Sequence, residues 1–206
     1  MKRSRRKLQN FQNLIGLIPM DKIRDGLIED FGNGYVKFGH SELMGRVVGL
    51  LIGVHEPLTV DQISELLETS KSPINQIAHR LEELNLIRRV WVRGDRKHYY
   101  RISTDVFKQA SLNLMKLYED NLRIAERHLR AVAKQYTDAS AEEKSGLRQM
   151  GERLIAMREF YTRLIDTHHR FIEDWKTARA HLPAFEEYMA KSAAQTQTPG
   201  VVTMPA

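Results

Sequence analysis

The sequence predicts a mainly α-helical protein that joins a winged helix-turn-helix, with a small β-hairpin wing, to a long C-terminal helical hairpin. Three patterns predict this fold: a short capped helix followed by an amphipathic helix, two strand-like segments around a turn, and two long heptad-patterned segments. The 206-residue chain is 42% hydrophobic and 28% charged, and it contains no cysteine. That composition is typical of a globular protein and excludes disulfides, thiolate zinc sites and cysteine nucleophiles.

Residues 1–20 form a basic N-terminal arm with a short apolar patch. No apolar run reaches the ~18 residues that a bilayer-spanning helix needs. Leu14–Met20 is interrupted by Gly16 and Pro19 and is too short for a secretion signal, so we expect a cytoplasmic protein without membrane contact. Two interpretations of the arm stay open: a segment that reaches DNA phosphates and a disordered basic tail.

Residues 21–104 are predicted to form the winged helix-turn-helix domain, which begins with two helices. The first starts near Asp21 and has apolar residues on one side, but its three glycines weaken it, so it needs a packing partner. Ser41 is a typical N-cap residue. The helix after it is apolar almost all round, as expected for the buried helix of a small domain.

The helix-turn-helix itself follows from two further signals. Thr59–Gln62 has the sequence of a capping box and starts a short helix that ends near Glu68. Ser70–Pro73 opens the next helix, because proline is tolerated in a first turn. Apolar residues then follow helical spacing over Ile74–Leu84, which leaves the polar residues on the outer face.

The predicted wing is a hairpin of two strands, Ile87–Val92 and His98–Ile102, around the basic tip Arg93–Lys97. Asp95 is expected to pair with a neighbouring arginine and so to shape this tip. The two tyrosines at positions 99 and 100 face opposite sides of the hairpin, and the sequence leaves open which of them is buried.

Residues 105–189 are predicted to form a helical hairpin that serves dimerisation. Apolar residues recur at heptad spacing over 105–136 and 147–182, and a polar joint with a second capping box, Ser140–Glu143, separates the two runs. Two matched long helices are expected to pair with each other and to bury their remaining apolar faces on a second chain. Residues 190–206 are small and polar, which predicts a disordered tail.

The second helix of the helix-turn-helix and the wing carry the residues that we expect to bind double-stranded DNA. Near the N-terminus of a helix in the major groove, Asn and Gln recognise adenine and Arg recognises guanine. Residues 70–101 contain eight Lys/Arg against three acids, so most of the net charge of +6 lies there. The predicted DNA-contacting residues are Ser70, Lys71, Ser72, Asn75, Gln76, His79, Arg80, Arg93, Arg96 and Lys97.

This domain resembles the GbsR-type branch of the MarR superfamily. The resemblance covers about residues 21–104 and is most specific in the Gly-Asp-Arg wing with its paired tyrosines. It implies a dimeric regulator of gene expression, often tied to choline or glycine betaine metabolism. Pro73 departs from the small polar residue expected at that position. The segments that carry the resemblance are Leu27–Gly32, Met44–Gly49, Ser70–Lys71, Arg80–Leu84 and Arg93–Arg101. The resemblance implies DNA contacts at Lys71, Ser72, Asn75, Arg80, Arg93 and Arg96.

No catalytic site, metal site or cofactor is predicted. His169 and Glu173 lie one helical turn apart but lack a third ligand. His168 falls in the heptad seam, where a packed histidine is the favoured interpretation and a pH-sensing role stays open. Heptad spacing favours helix packing over a quaternary-ammonium cage for five aromatic residues: Tyr118, Tyr136, Tyr161, Phe171 and Trp175.

We therefore expect a homodimeric transcription regulator, a repressor by preference, that binds a pseudo-palindromic operator with half-sites ~34 Å apart. A small-molecule effector would act through its differential affinity for two arrangements of the winged domains. Two rival functions stay open, a winged-helix adaptor that binds proteins without reading DNA and a metal-dependent sensor or enzyme. The charge of residues 70–101 favours DNA over the adaptor.

Overall fold

The computed structural model describes residues 21–196, in two compact units that divide between Leu114 and Met115. The predicted basic arm, 1–20, and the end of the predicted tail, 197–206, lie outside the described residues. The first unit contains α1 (Asp21–Lys37), α2 (Glu42–Ile52), β1 (Leu58–Thr59), α3 (Val60–Leu66), α4 (Lys71–Glu83), β2 (Ile87–Val90), β3 (Tyr99–Ile102) and the start of α5 (Val106–Asp138). The second unit contains the rest of α5, α6 (Ala141–Ala180) and α7 (Phe185–Thr196). These elements confirm a mainly helical fold with a small β-wing.

The wing belongs to a three-stranded antiparallel sheet of order β1-β3-β2. Tyr100 of β3 lies opposite Leu58 of β1 and Arg89 of β2, and its side chain is only 2% exposed. Tyr100 is therefore the buried member of the tyrosine pair. Strand β1 is absent from the sequence predictions, because two residues after Pro57 are too short to show a strand periodicity.

Helix α1 finds its packing partner in α2 of the same chain, where glycines allow a close approach. A Cβ atom added to Gly45 would lie 2.2 Å from the carbonyl oxygen of Phe31, and one added to Gly49 would lie 2.6 Å from that of Leu27. The glycines of α2 thus allow α1 to pack closely against the winged unit, in which most of α2 is buried. By contrast, Gly34 of α1 has no atom within 4 Å of an added Cβ.

The predicted helix caps form as local hydrogen-bonded units. The Thr59 backbone N–H donates to Gln62 Oε1 at 2.7 Å, and the Gln62 N–H donates to Thr59 Oγ1 at 3.3 Å. The Ser140 N–H donates to Glu143 Oε2 at 2.9 Å, and α6 begins directly after this cap rather than at residue 147. Both capping boxes are therefore confirmed, and most of the predicted polar joint is helical.

The C-terminal end of the described chain corrects one prediction. Residues 190–196, expected in a disordered tail, belong to α7. Their Ala, Lys and Gln residues are good helix formers, so small and polar composition alone was a misleading criterion. No described helix, not even the two longest, combines the length and apolarity that spanning a bilayer requires.

Candidate nucleic-acid interface

Helix α4 has one completely buried side and one exposed side. Ile74, Ala78 and Leu81 are 0% exposed and anchor the helix in the core of the winged unit. Asn85 then takes a left-handed conformation (φ 55°), which turns the chain from the end of the helix towards β2. The opposite side is exposed and carries the predicted residues Lys71, Ser72, Asn75, Gln76, His79 and Arg80. The apolar stripe of α4 thus fixes the orientation of its polar face.

Ser70 is the N-cap residue of α4, as the sequence indicates, but its side chain makes no capping hydrogen bond. Its backbone is extended (φ −77°, ψ 157°) and its side chain is exposed beside Lys71. The Ser70 hydroxyl is therefore not committed to closing the helix terminus.

The wing tip is a tight turn whose cationic side chains are exposed. Gly94 occupies the left-handed region (φ 87°), which favours glycine at this position. Arg93, Arg96 and Lys97 are all exposed around it, as predicted for wing residues.

Asp95 shapes the tip, but its partners differ from the expected arginine. Its carboxylate accepts hydrogen bonds from the Lys97 N–H at 2.8 Å and from the Tyr99 hydroxyl at 2.9 Å. The bond from the Lys97 amide closes the turn locally. These two bonds, the Lys97 amide first, hold the pKa of Asp95 below its usual value, and the bond to Asp95 raises the pKa of Tyr99.

Comparison with known proteins finds similarity to a family over the winged region. Residues 49–98, which run from α2 to the end of the wing tip, match the model of the MarR family. The winged helix-turn-helix of this chain is therefore similar to domains of that family. It is similar to two HTH-type transcriptional repressors of Bacillus subtilis (strain 168), OpcR and GbsR, each 26% identical over 89 residues.

These similarities cover the winged region rather than whole proteins. The aligned residues are 43% of this chain and 48% of OpcR or 49% of GbsR, so the chain spans about half the length of the relatives it matches. A crystal structure of a transcriptional regulator has a TM-score of 0.62 and 21% identity, covering 75% of this chain and 98% of the other, which supports the fold. Both relatives are named as transcriptional repressors, which agrees with the regulator function predicted from the sequence.

Not every basic residue of the winged unit is free of contacts with the rest of the chain. Arg89 Nη2 lies 2.8 Å from Glu82 Oε2, and its guanidinium stands 5.8 Å from the centre of the Tyr100 ring. Arg89 therefore joins β2 to α4 and has a structural role. Arg80 also has an acidic neighbour, Glu83 at 2.9 Å, but both side chains are more than 60% exposed. Exposed pairs of this kind contribute little free energy, so the contact with Glu83 does not exclude the predicted role of Arg80.

Asp61 is the residue of this surface that the sequence predictions missed. Its carboxylate lies 2.7 Å from Lys71 Nζ at the start of α4 and 3.9 Å from Lys97 Nζ in the wing. The hydrogen bond from Lys71, followed by the charges of both lysines, keeps the pKa of Asp61 below its usual value although desolvation opposes this. Asp61 belongs to the first turn of α3, where an acid is ordinary, so the sequence gives no signal for these contacts.

The helical unit packs through aromatic residues. The ring of Tyr118 on α5 lies 6.1 Å from Tyr161 and 6.0 Å from His168 on α6. Tyr136 lies apart from them, with Lys144 Nζ 5.6 Å from its ring and its hydroxyl accepting a hydrogen bond from Arg148. These contacts agree with the helix-packing interpretation. Among the residues described, no group of three or more potential ligands is arranged to hold a metal ion.

Proposed function

We propose that this protein is a homodimeric, cytoplasmic transcription regulator that binds double-stranded DNA through α4 and the wing of each protomer. One observation carries the proposal: the polar face of α4 is exposed beside a cationic hairpin while its apolar face is locked in the core. A helix presented in this way fits a major groove, and a basic hairpin beside it reaches the backbone or the minor groove.

Each predicted residue has a role in this arrangement. Asn75 and Gln76 would form paired hydrogen bonds with adenine, and Arg80 would bind guanine or a phosphate. The wing residues Arg93 and Arg96 would contact the backbone. The remaining proposed contacts, to phosphates or to neighbouring base edges, are made by Ser70, Lys71, Ser72, His79 and Lys97.

Exposed apolar side chains support the homodimer. On the helical unit, Ile155 is 50% exposed and Phe160 is 60% exposed. Phe38, directly after α1, is 83% exposed. Large apolar side chains gathered on long helices are typical of a surface that pairs with another chain. We infer that the N-terminal and C-terminal helices of two chains join and set two α4 helices ~34 Å apart, which requires a pseudo-palindromic operator.

The relatives support a proposal for the regulatory direction, and the family resemblance supports one for the target genes. OpcR and GbsR are described as repressors, which supports repression by this protein as well. The resemblance to the GbsR-type branch extends the proposal to genes of choline, betaine or other osmoprotectant metabolism, with a small-molecule effector. A titration of operator affinity against choline and glycine betaine tests this extension, and an affinity that neither compound changes would dismiss it.

The DNA-binding proposal is tested by selecting bound duplexes from a random-sequence pool and then comparing two variants. Asn75→Ala should relax the sequence preference at one base pair, at a cost of about 1–3 kcal/mol for the preferred base. Arg96→Ala should weaken binding to all duplexes and lower the slope of log K against log salt by up to about one unit. Arg153→Ala, which removes an exposed arginine of α6, is the matched control.

Two results would contradict the proposal. Failure of the purified protein to retain any duplex at low ionic strength would favour the rival adaptor function, in which the same fold binds proteins. Equal losses on selected and random duplexes for Asn75→Ala would remove its assigned role in base recognition.

A further inference from the structure

An acidic side chain lies at the edge of the proposed DNA-binding surface. Asp61 comes from α3, Lys71 from the first turn of α4 and Lys97 from the wing, so one carboxylate contacts cations from the two elements proposed to touch DNA. Residues 70–101, which contain both lysines, are strongly cationic. An anion placed there repels phosphates, so its position calls for an explanation.

The first turn of α3 favours an acid at position 61, but helix capping and folding stability do not explain its contacts with lysines from two other elements. The N-terminus of α3 is capped by Thr59 and Gln62, whose hydrogen bonds do not involve the Asp61 side chain. The side chains of Asp61, Lys71 and Lys97 are 44%, 66% and 61% exposed. Ion pairs between such exposed groups add little to stability. The arrangement therefore matters more for what the two lysines do than for the fold.

We propose that Asp61 is a specificity-determining residue, which holds Lys71 and Lys97 in place for the operator and weakens their attraction to any other phosphate. This inference rests on the proposed function and concerns the same surface. Asp61 touches no DNA in this proposal and acts through the two lysines.

The first effect of Asp61 is on binding to random DNA, which depends almost entirely on charge. With the carboxylate in place, the cluster of one acid and two lysines carries one net positive charge instead of two. Asp61→Asn keeps the shape and removes the negative charge. The variant should bind random duplexes about threefold to tenfold more tightly at low ionic strength, with a salt slope steeper by up to about one unit.

The second effect is on operator binding, where base contacts fix the position of α4. A lysine side chain that is already held near its binding position loses less conformational freedom when it meets a phosphate. Asp61→Asn removes this advantage, which offsets the gain in charge. Operator affinity should therefore change less than random affinity, and the ratio of the two should fall about threefold to tenfold.

The experiment measures the affinities of the full-length protein for two duplexes as a function of salt. The first duplex is the tightest-binding sequence that the unsubstituted protein selects from a random 30-base-pair pool, and the second is a scrambled sequence of the same composition. Glu65→Gln is the control, because Glu65 is an exposed acid of α3 whose side chain has no ion pair within the described part of the chain. Glu65→Gln should leave the specificity ratio unchanged.

A double-mutant cycle separates the specific contact from a general charge effect. If Asp61 acts through Lys71, Asp61→Asn should change the ratio much less in a Lys71→Gln background than in the unsubstituted protein. An unchanged ratio for Asp61→Asn, or equal gains on both duplexes, overturns this inference while the unsubstituted protein still selects its operator. Failure of the unsubstituted protein to prefer any duplex overturns the proposed function itself, so the two failures are distinguishable.

Discussion

Helices α4 and α6 both have an amphipathic pattern, but their apolar sides differ in how far they are buried. On α4, Ile74, Ala78 and Leu81 are completely buried by the chain's own winged unit. On α6, only Leu147, Gly151 and Ile172 are buried within the described residues, although the helix has 40 residues. Periodicity therefore predicts that an apolar face exists, and it does not predict what covers that face.

The uncovered surfaces of the two helices also differ in chemistry. The exposed side of α4 carries amide, hydroxyl, imidazole and cationic groups, which suit base edges and phosphates. The exposed part of α6 includes Met150, Ile155, Phe160 and Phe171, each at least 50% exposed. This difference supports the proposal that the winged unit binds DNA and the helical unit binds a second protomer.

The largest expected effect lies in the core beneath α4. Leu81→Ala should lower the free energy of unfolding by about 2–5 kcal/mol, because it leaves a cavity in a packed interior. Met150→Ala, at a half-exposed position of α6, should cost less, and its cost should depend on protein concentration. Urea denaturation at two protein concentrations measures both effects. If both variants lost the same free energy of unfolding at both protein concentrations, the proposed difference between the two helices would be wrong.

The next effect concerns the close approach of α1 and α2. Gly45→Ala should destabilise the protein by about 1–3 kcal/mol, since the new methyl group overlaps the Phe31 carbonyl oxygen. Gly34→Ala, in open space on α1, should instead stabilise it by up to about 1 kcal/mol. Thermal unfolding measures the change in stability of each variant, and the two changes should have opposite signs. Destabilisation by both substitutions would contradict this packing.

A charge on the exposed apolar face of α6 should weaken the dimer. Ile155→Glu is expected to raise the dimer dissociation constant at least about tenfold, because an unpaired carboxylate would be buried at the interface. Sedimentation equilibrium measures this constant, with Arg153→Glu as a control for the added charge on the same helix. A dimer that tolerates Ile155→Glu would place the interface elsewhere.

The smallest effect is confined to the wing tip and depends on pH. Because the folded pKa of Asp95 lies below its usual 3.8, its hydrogen bonds stabilise the tip above that pH and are lost as the pH falls through the lower folded value. The amide proton resonance of Lys97 should report this transition in an NMR titration. In Asp95→Asn the transition should vanish while the α4 resonances stay in place.

Much of the fold could be predicted because its signals are local. The capping boxes at Thr59 and Ser140 depend on residues three positions apart, and the stripe of α4 depends on residues within one helix. Strand β1 and the contacts of Asp61 were missed because they depend on segments distant in sequence. Leu58 pairs with Tyr100, and Asp61 meets Lys97, only after the chain has folded.

The candidate site shows the same limit. Helical spacing predicted which residues of α4 lie on its exposed side, but it could not show that Arg89 is held by Glu82 and Tyr100. It also assigned Asp95 the wrong partner, because the turn geometry brings the Lys97 amide to its carboxylate. Charge counts identify a cationic segment, and only the folded chain shows which of its cations are exposed and uncommitted.

The most direct test places a DNA-cleaving reagent on the exposed face of α4. The chain has no cysteine, so Gln76→Cys provides a single attachment point for an iron chelate, and Arg153→Cys on α6 provides the control. The account predicts that the Gln76 conjugate cuts a selected duplex from the major groove at two positions about one helical turn apart. An intact duplex with the Gln76 conjugate, or equal cutting by the Arg153 conjugate, would contradict the claim that α4 enters the groove.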